Sequence, residues 1–151
     1  MALDSYDVRL LAELQTDARL SLAELGRRVH LSQPAVTERV RKLEAAGVIT
    51  GYRATVDLSK LDYGIRALVR VGRVEYARME RLIGERAEVV NAWNITGEDS
   101  WLLEIAVTDV AHLDAVVSQM CLLAETSTSI ILKTVREHHV MLPPPTAGDD
   151  A

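Results

Sequence analysis

The chain has 151 residues, 48% of them hydrophobic, a single cysteine and a formal net charge of −5. That length suits one domain or two small ones, and the apolar content supports a packed core, which excludes a disordered or collagen-like chain. No run approaches the roughly 18 apolar residues of a membrane span, the acidic start MALDSYDVRL does not read as a signal peptide, and one cysteine cannot form an internal disulfide, so a cytoplasmic, nucleoid-associated protein is expected.

Asp4, with Asp7 three residues on, marks a helix start, and Leu10, Val8, Leu11 and Leu14 supply its apolar stripe. Thr16-Asp17-Ala18-Arg19 breaks the pattern. Ser21 and Glu24 have capping-box spacing for a second helix that buries Leu22, Leu25 and Val29. His30-Leu31 makes the turn, Ser32 caps a third helix with Pro34 in its first turn, and Gly47 stands where a left-handed residue closes it. Two short helices joined by a tight turn form a helix-turn-helix, so residues 1–50 are expected to bind double-stranded DNA.

At 100° per residue, Val36, Val40 and Leu43 of the third helix fall together and face the core. Gln33, Thr37, Glu38 and Arg41 fall on the outer side or its N-terminal flank and are the candidate base readers. Glutamine suits adenine, arginine suits guanine, glutamate accepts from cytosine, and threonine offers a methyl or a hydroxyl. Arg27, Arg28, Ser32, Arg39 and Lys42 are placed for phosphates. Residues 27–53 hold six Lys/Arg against two acids, while residues 57–151 hold nine against fifteen. A basic face on an acidic body fits a DNA reader joined to a domain that does not touch DNA.

After Gly47, VITGYRATVDL alternates and is rich in β-branched residues, which predicts a strand or short wing, with Arg53 reaching the DNA backbone. Residues 51–64 serve as linker strand and hinge. Residues 65–75 predict a strand, 77–87 a helix, 89–96 a strand, 97–100 a turn, 101–107 a hairpin partner, 110–123 a helix capped by Thr108 or Asp109, and 127–135 a last strand. The β-α-β-β-α-β order is the split βαβ of a ferredoxin-like sandwich, covering residues 65–142. The predicted class is α+β, a winged helix-turn-helix followed by that sandwich, with a Pro-rich, acidic, mobile tail over 143–151. Two helices cover one sheet face; apolar positions on the other imply a partner subunit, and two-fold DNA half-sites also call for a dimer.

Three segments carry a family likeness: LDSYDVRLLAELQTDAR, LSQPAVTERVRKLEAAGVITGY and TGEDSWLL. With them the chain resembles the Lrp/AsnC, or feast/famine, regulators of bacteria and archaea over nearly its full length. The resemblance implies a DNA-binding winged helix-turn-helix, a C-terminal domain that senses an amino acid or related small molecule, pairing through the C-terminal sheets, and assembly of dimers into octamers. It also implies an effector pocket at Thr96, Gly97, Glu98, Asp99 and Ser100, and at Thr126, Ser127, Thr128 and Ser129. The family's turn usually carries an Asp where this chain has Ser100, with Asp99 one place earlier. An acid there could hold an α-amino group, whereas a serine offers only a neutral hydrogen bond. The alternative function is an architectural, DNA-wrapping protein without an effector.

No Gly-rich phosphate loop, paired-cysteine spacing or nucleophile elbow occurs in the sequence, so neither an enzyme, a metal site nor a cofactor is expected. His138 and His139 are adjacent, and on a strand they would diverge. Cys121 reads as a small packed hydrophobe, and Trp93 and Trp101 as core or interface. An RNA-binding sheet would need exposed aromatics on its central strands, and the chain has no Phe.

Overall fold

The computed structural model describes residues 2–144. The N-terminal helices are α1 (Ser5–Thr16), α2 (Leu22–Val29) and α3 (Gln33–Ala45). A full capping box starts α1: the Asp4 carboxylate accepts from the backbone N–H of Tyr6 and Asp7, and the Asp7 carboxylate accepts from that of Asp4. Ser21 caps α2 by accepting from the Glu24 N–H at 3.1 Å. His30 then takes the left-handed conformation, φ 59°, and turns the chain into α3. Ser32 occupies the N-cap position of α3, but its hydroxyl makes no capping bond, contrary to expectation. Pro34 leaves one N–H fewer to satisfy in that first turn, which reduces the need for a cap. Gly47, φ 69°, lets the Val48 and Ile49 N–H groups return to the Leu43 carbonyl and close α3. Leu10, Leu25, Val29, Val36 and Val40 form the core of this unit. Each fully buried Leu or Val contributes roughly 1.5–3 kcal/mol by leaving water.

The expected linker strand does not form. Residues 48–57 belong to no sheet, and Tyr52 is 51% exposed. Strand propensity needs a partner edge to receive the backbone hydrogen bonds, and among the described residues none pairs with this segment. Tyr52 instead donates its hydroxyl to Glu44 at 2.9 Å. A 3-10 turn at Leu58–Leu61, capped by Asp57, leads into the second unit.

That unit contains β1 (Ile65–Val71), α4 (Tyr76–Glu85), β2 (Val89–Asn94), β3 (Trp101–Val107), α5 (Val110–Cys121) and β4 (Thr126–Ile130). The four strands are antiparallel in the order β2-β3-β1-β4, the split βαβ arrangement. Alternate residues Ala67, Val69, Val71, Leu103, Ile105 and Val107 point into a core with Met79 of α4 and Leu113, Val116 and Met120 of α5. Asp109, and not Thr108, caps α5, accepting from the His112 N–H at 2.8 Å. β4 ends five residues earlier than expected because β1 begins at Ile65: the last ladder contacts are Ala67 opposite Ile130 and the Ile131 N–H to the Arg66 carbonyl. Beyond them no strand continues, and Leu132 and Val135 are 94% and 89% exposed.

The two compact units are residues up to Ala54 together with the segment from Arg136, and Thr55–Val135. Within the first, the Gln15 side-chain amide donates to the Met141 carbonyl at 2.8 Å and accepts from the Met141 N–H at 2.9 Å, as a strand neighbour would. The expected mobile tail, 143–151, lies almost wholly outside the described residues.

Candidate DNA interface and effector site

The outer face of α3 is polar and exposed. Gln33, Thr37, Glu38 and Arg41 all lie on it in the open, opposite buried Val36, Val40 and Leu43. Thr37 donates its hydroxyl to the Gln33 carbonyl at 2.9 Å, which leaves its methyl and an oxygen lone pair facing outward. Arg41 forks onto Glu38, with Nε to Oε2 at 3.1 Å and Nη2 to Oε1 at 2.9 Å, and Lys42 Nζ lies 3.6 Å from the same carboxylate. The hydrogen bond from Arg41 holds the Glu38 carboxyl below its ordinary pKa.

The expected phosphate contacts separate into two groups. Arg27, Lys42 and Arg53 are exposed on the surface, and Arg27 reaches back to Glu24. Arg28 bridges α2 to α1 by pairing with Glu24 at 3.0 Å and Glu13 at 2.8 Å while remaining partly exposed. Arg39 is tied into the fold of the unit. Its Nη1 bonds both Asp4 Oδ2 and Asp7 Oδ1 at 2.7 Å, and its guanidinium lies 5.4 Å from the Tyr6 ring centre. Hydrogen bonds to Asp4 and Asp7 raise the Arg39 pKa further. Arg39 therefore clamps α3 to the start of α1 through Nη1, and its Nε and Nη2 donors take no part in those two bonds.

Gly26 is a packing position beneath the reader helix that the sequence reading passed over. A Cβ there would sit 2.6 Å from the Leu31 carbonyl oxygen, inside the turn that sets α3 against α2. A glycine within a helical pattern is the signal that could have revealed it, since it is tolerated there mainly where backbones approach closely.

In the second unit the two expected effector segments meet at one end of the sheet. The Ser100 N–H donates to the Val71 carbonyl at 2.9 Å, and the Gly72 N–H donates to Glu125 at 2.8 Å. Val71 also pairs with Trp101 on one side and Thr126 on the other. The turn Thr96, Gly97, Glu98, Asp99, Ser100 and Thr126 therefore flank the end of β1, while Ser127, Thr128 and Ser129 run back along it opposite Arg70, Val69 and Leu68. Thr126 and Thr128 share the helix-covered side with Val71 and Val69, while Ser127 and Ser129 face the open side, as register requires. Gly97 takes φ 124°, which a side chain would disfavour.

Tyr76 joins this end without having been anticipated. Its hydroxyl donates to Asn94 Oδ1 at 2.8 Å, the Asn94 amide donates to the Ser100 carbonyl at 2.7 Å, and the ring packs 5.5 Å from that of Trp101. Trp101 is 6% exposed, and its indole N–H has no hydrogen-bond partner among the described residues. A buried unpaired donor is unfavourable by roughly 1–3 kcal/mol.

The open sheet face carries Leu68, Leu102 and Trp93 around a charged centre. Arg66 Nε donates to Glu104 Oε1 at 3.0 Å, and Asn91 donates to Glu104 Oε2 at 2.8 Å. Burial pushes the Glu104 carboxyl up, but the Asn91 and Arg66 hydrogen bonds outweigh it and hold the pKa below the usual range.

Comparison with known proteins resolves the family. An AsnC-type helix-turn-helix domain matches residues 3–44, and an Lrp/AsnC ligand binding domain matches residues 66–141. The chain belongs to the Lrp/AsnC family of transcriptional regulators. The regulator is 33% identical over 137 residues to the HTH-type transcriptional regulator LrpC of Bacillus subtilis, covering 89% of this chain and 95% of that one. The solved structure of LrpC superposes with a TM-score of 0.85, covering 90% of this chain and 99% of LrpC. The leucine-responsive regulatory protein of Rhizobium meliloti is 36% identical over 141 residues, 89% of this chain and 90% of that one. A transcriptional regulator of Neisseria meningitidis, solved in complex with L-Met, superposes with a TM-score of 0.84 at 28% identity, covering 95% of this chain and 97% of that chain. Among the described residues of this Lrp/AsnC regulator, no helix is long and apolar enough to cross a membrane.

Proposed function

We propose that this Lrp/AsnC regulator is a sequence-specific DNA-binding protein whose operator affinity responds to an amino acid, and that it acts as dimers assembled into higher oligomers, up to octamers. The observation that carries the reading is the exposed polar face of α3 above a fully apolar buried face. Gln33, Thr37 and Arg41 read base edges in the major groove, with Glu38 on the same face. Arg27, Arg28, Ser32, Lys42 and Arg53 meet phosphates, which orient the helix without selecting sequence. A two-fold dimer presents two such helices to adjacent half-sites, and the apolar positions on the open sheet face support pairing there.

The effector binds at the end of β1, among Thr96 to Ser100 and Thr126 to Ser129. The L-Met complex of the Neisseria relative supports an amino acid with an apolar side chain. Ser100 and the Thr/Ser-rich strand start supply neutral hydrogen bonds, and Asp99 and Glu98 supply carboxylates for an α-amino group. The test selects binding sites from duplexes with a randomised core, then titrates the selected duplex with and without L-methionine while light scattering follows assembly size. A selected consensus whose affinity shifts with methionine supports the reading. Equal affinity for selected and bulk DNA at fixed salt, with no response to any amino acid, replaces it with the architectural one.

A further inference from the structure

Resting on the assignment of α3 as the reader, the geometry points to a division of labour within it. We propose that Glu38 is a positioning residue that aims Arg41 at a guanine, and not itself a reader of cytosine. Both Glu38 oxygens are already engaged: Oε2 accepts from Arg41 Nε at 3.1 Å, and Oε1 accepts from Arg41 Nη2 at 2.9 Å with Lys42 Nζ at 3.6 Å. Lone pairs remain on the carboxylate, but its negative charge is already shared with Arg41 and Lys42, which weakens its pull on a cytosine amino group. The fork consumes the Nε–H and one hydrogen of Nη2. What remains on Arg41 is the outer edge of the guanidinium, Nη1 with the second hydrogen of Nη2. Two parallel donors of that spacing match the O6 and N7 acceptors that guanine displays in the major groove.

The arrangement has a physical advantage. An arginine side chain loses much rotamer freedom when a base fixes it, and a fork formed beforehand removes part of that loss. Arg41 is 65% and Glu38 49% exposed, so the pair adds little to fold stability. Its effect falls on orientation. The spacing is one helical turn, so both side chains leave the same face of α3 and reach the groove together.

The test is a double-mutant cycle on the full chain, using Glu38→Ala, Arg41→Ala, the double variant and Glu38→Gln. Each is read against a pool of duplexes with a randomised core, followed by affinities for every single-base change in the wild-type consensus. Circular dichroism checks that each variant folds. A positioning role gives loss of preference at the same base pair in Glu38→Ala and Arg41→Ala, about tenfold or less for the former. The double variant is no worse than Arg41→Ala, and Glu38→Gln, which keeps one acceptor oxygen, restores part of the preference. Loss at a different base pair in Glu38→Ala, or losses that add in the double variant, overturns the proposal and makes Glu38 a direct reader. If the wild type selects a consensus but Arg41→Ala changes no preference in it, Arg41 reads nothing and the positioning role falls alone. If the wild type selects no consensus, the failure is that of the sequence-specific function.

Discussion

Replacing Gly26 by alanine separates helix propensity from tertiary packing. In an open helix, Gly→Ala stabilises by about 0.5–1 kcal/mol because alanine loses less backbone freedom on folding. At Gly26 the added Cβ would lie 2.6 Å from the Leu31 carbonyl oxygen and 3.5 Å from a Val36 methyl. The near atom is backbone, held by the Leu31 N–H bond back to the Gly26 carbonyl at 2.8 Å, so the turn cannot yield by rotating a side chain. Overpacking of that kind typically costs 1–3 kcal/mol or more, so a net loss of about 1–2 kcal/mol is expected after the propensity gain. In a helical unit of this size that lowers the midpoint by roughly 4–15 °C. Gly84, in the last turn of α4, is the control, because a Cβ there meets nothing within 4 Å. Far-ultraviolet circular dichroism during heating reads both variants, and DNA affinity reads whether α3 keeps its angle to α2. Gly26→Ala should unfold earlier and bind DNA more weakly, while Gly84→Ala should be neutral or more stable. A Gly26→Ala protein as stable as the Gly84→Ala one would refute the claim that close approach, and not chance, places glycine there.

Asp4→Ala should lower the urea midpoint more than Asp4→Asn, because the amide oxygen of asparagine still caps α1 while alanine loses both the cap and the Arg39 bond. Glu104→Gln should destabilise by about 1–3 kcal/mol at neutral pH by removing a charge-assisted acceptor from a nearly buried site. Because the folded pKa of Glu104 is lowered, its contribution is present above the ordinary glutamate value of about 4.3 and is lost as pH falls through the folded value. The gap between wild type and Glu104→Gln in urea unfolding should therefore shrink on acidification, and a gap independent of pH would exclude the linkage. Tyr76→Phe removes the bond that holds Asn94 against the Ser100 carbonyl, and should weaken L-methionine binding about 2- to 10-fold by calorimetry if the turn forms the effector site.

The helix-turn-helix was legible because its signals are local. Asp4 and Ser21 sit next to the groups they cap, and Val36, Val40 and Leu43 declare the buried face of α3 through a 3.6-residue period. The split βαβ order was legible for the same reason, since each strand alternates and each crossover carries a helical stripe. Local signals misled where the deciding partner was distant. VITGYRATVDL has the composition of a strand, yet a strand exists only against an edge. The residues after Ile130 read as a continuing strand, yet β1 begins at Ile65 and offers those beyond Ile131 no edge to pair with. Ser32 stands at the right place for a cap without making its bond.

The site divides along the same line. Which side chains line the outer face of α3 follows from the helical period alone, so Gln33, Thr37, Glu38 and Arg41 could be named before any coordinates. That Arg39 clamps α3 to α1 could not be named in this way, because its partners Asp4 and Asp7 lie 35 and 32 positions away. The candidate effector segments were named from family likeness, but only the register of β3 and β4 on β1 brings Ser100 and Thr126 to one end of the sheet and adds Tyr76 and a buried Trp101 indole without a partner among the described residues. Capping, periodicity and turn chemistry act over three or four residues, so the sequence alone determined the elements and their faces. Ion pairing, strand registry and close backbone approach act between residues that meet only on folding, and the tertiary structure decided those.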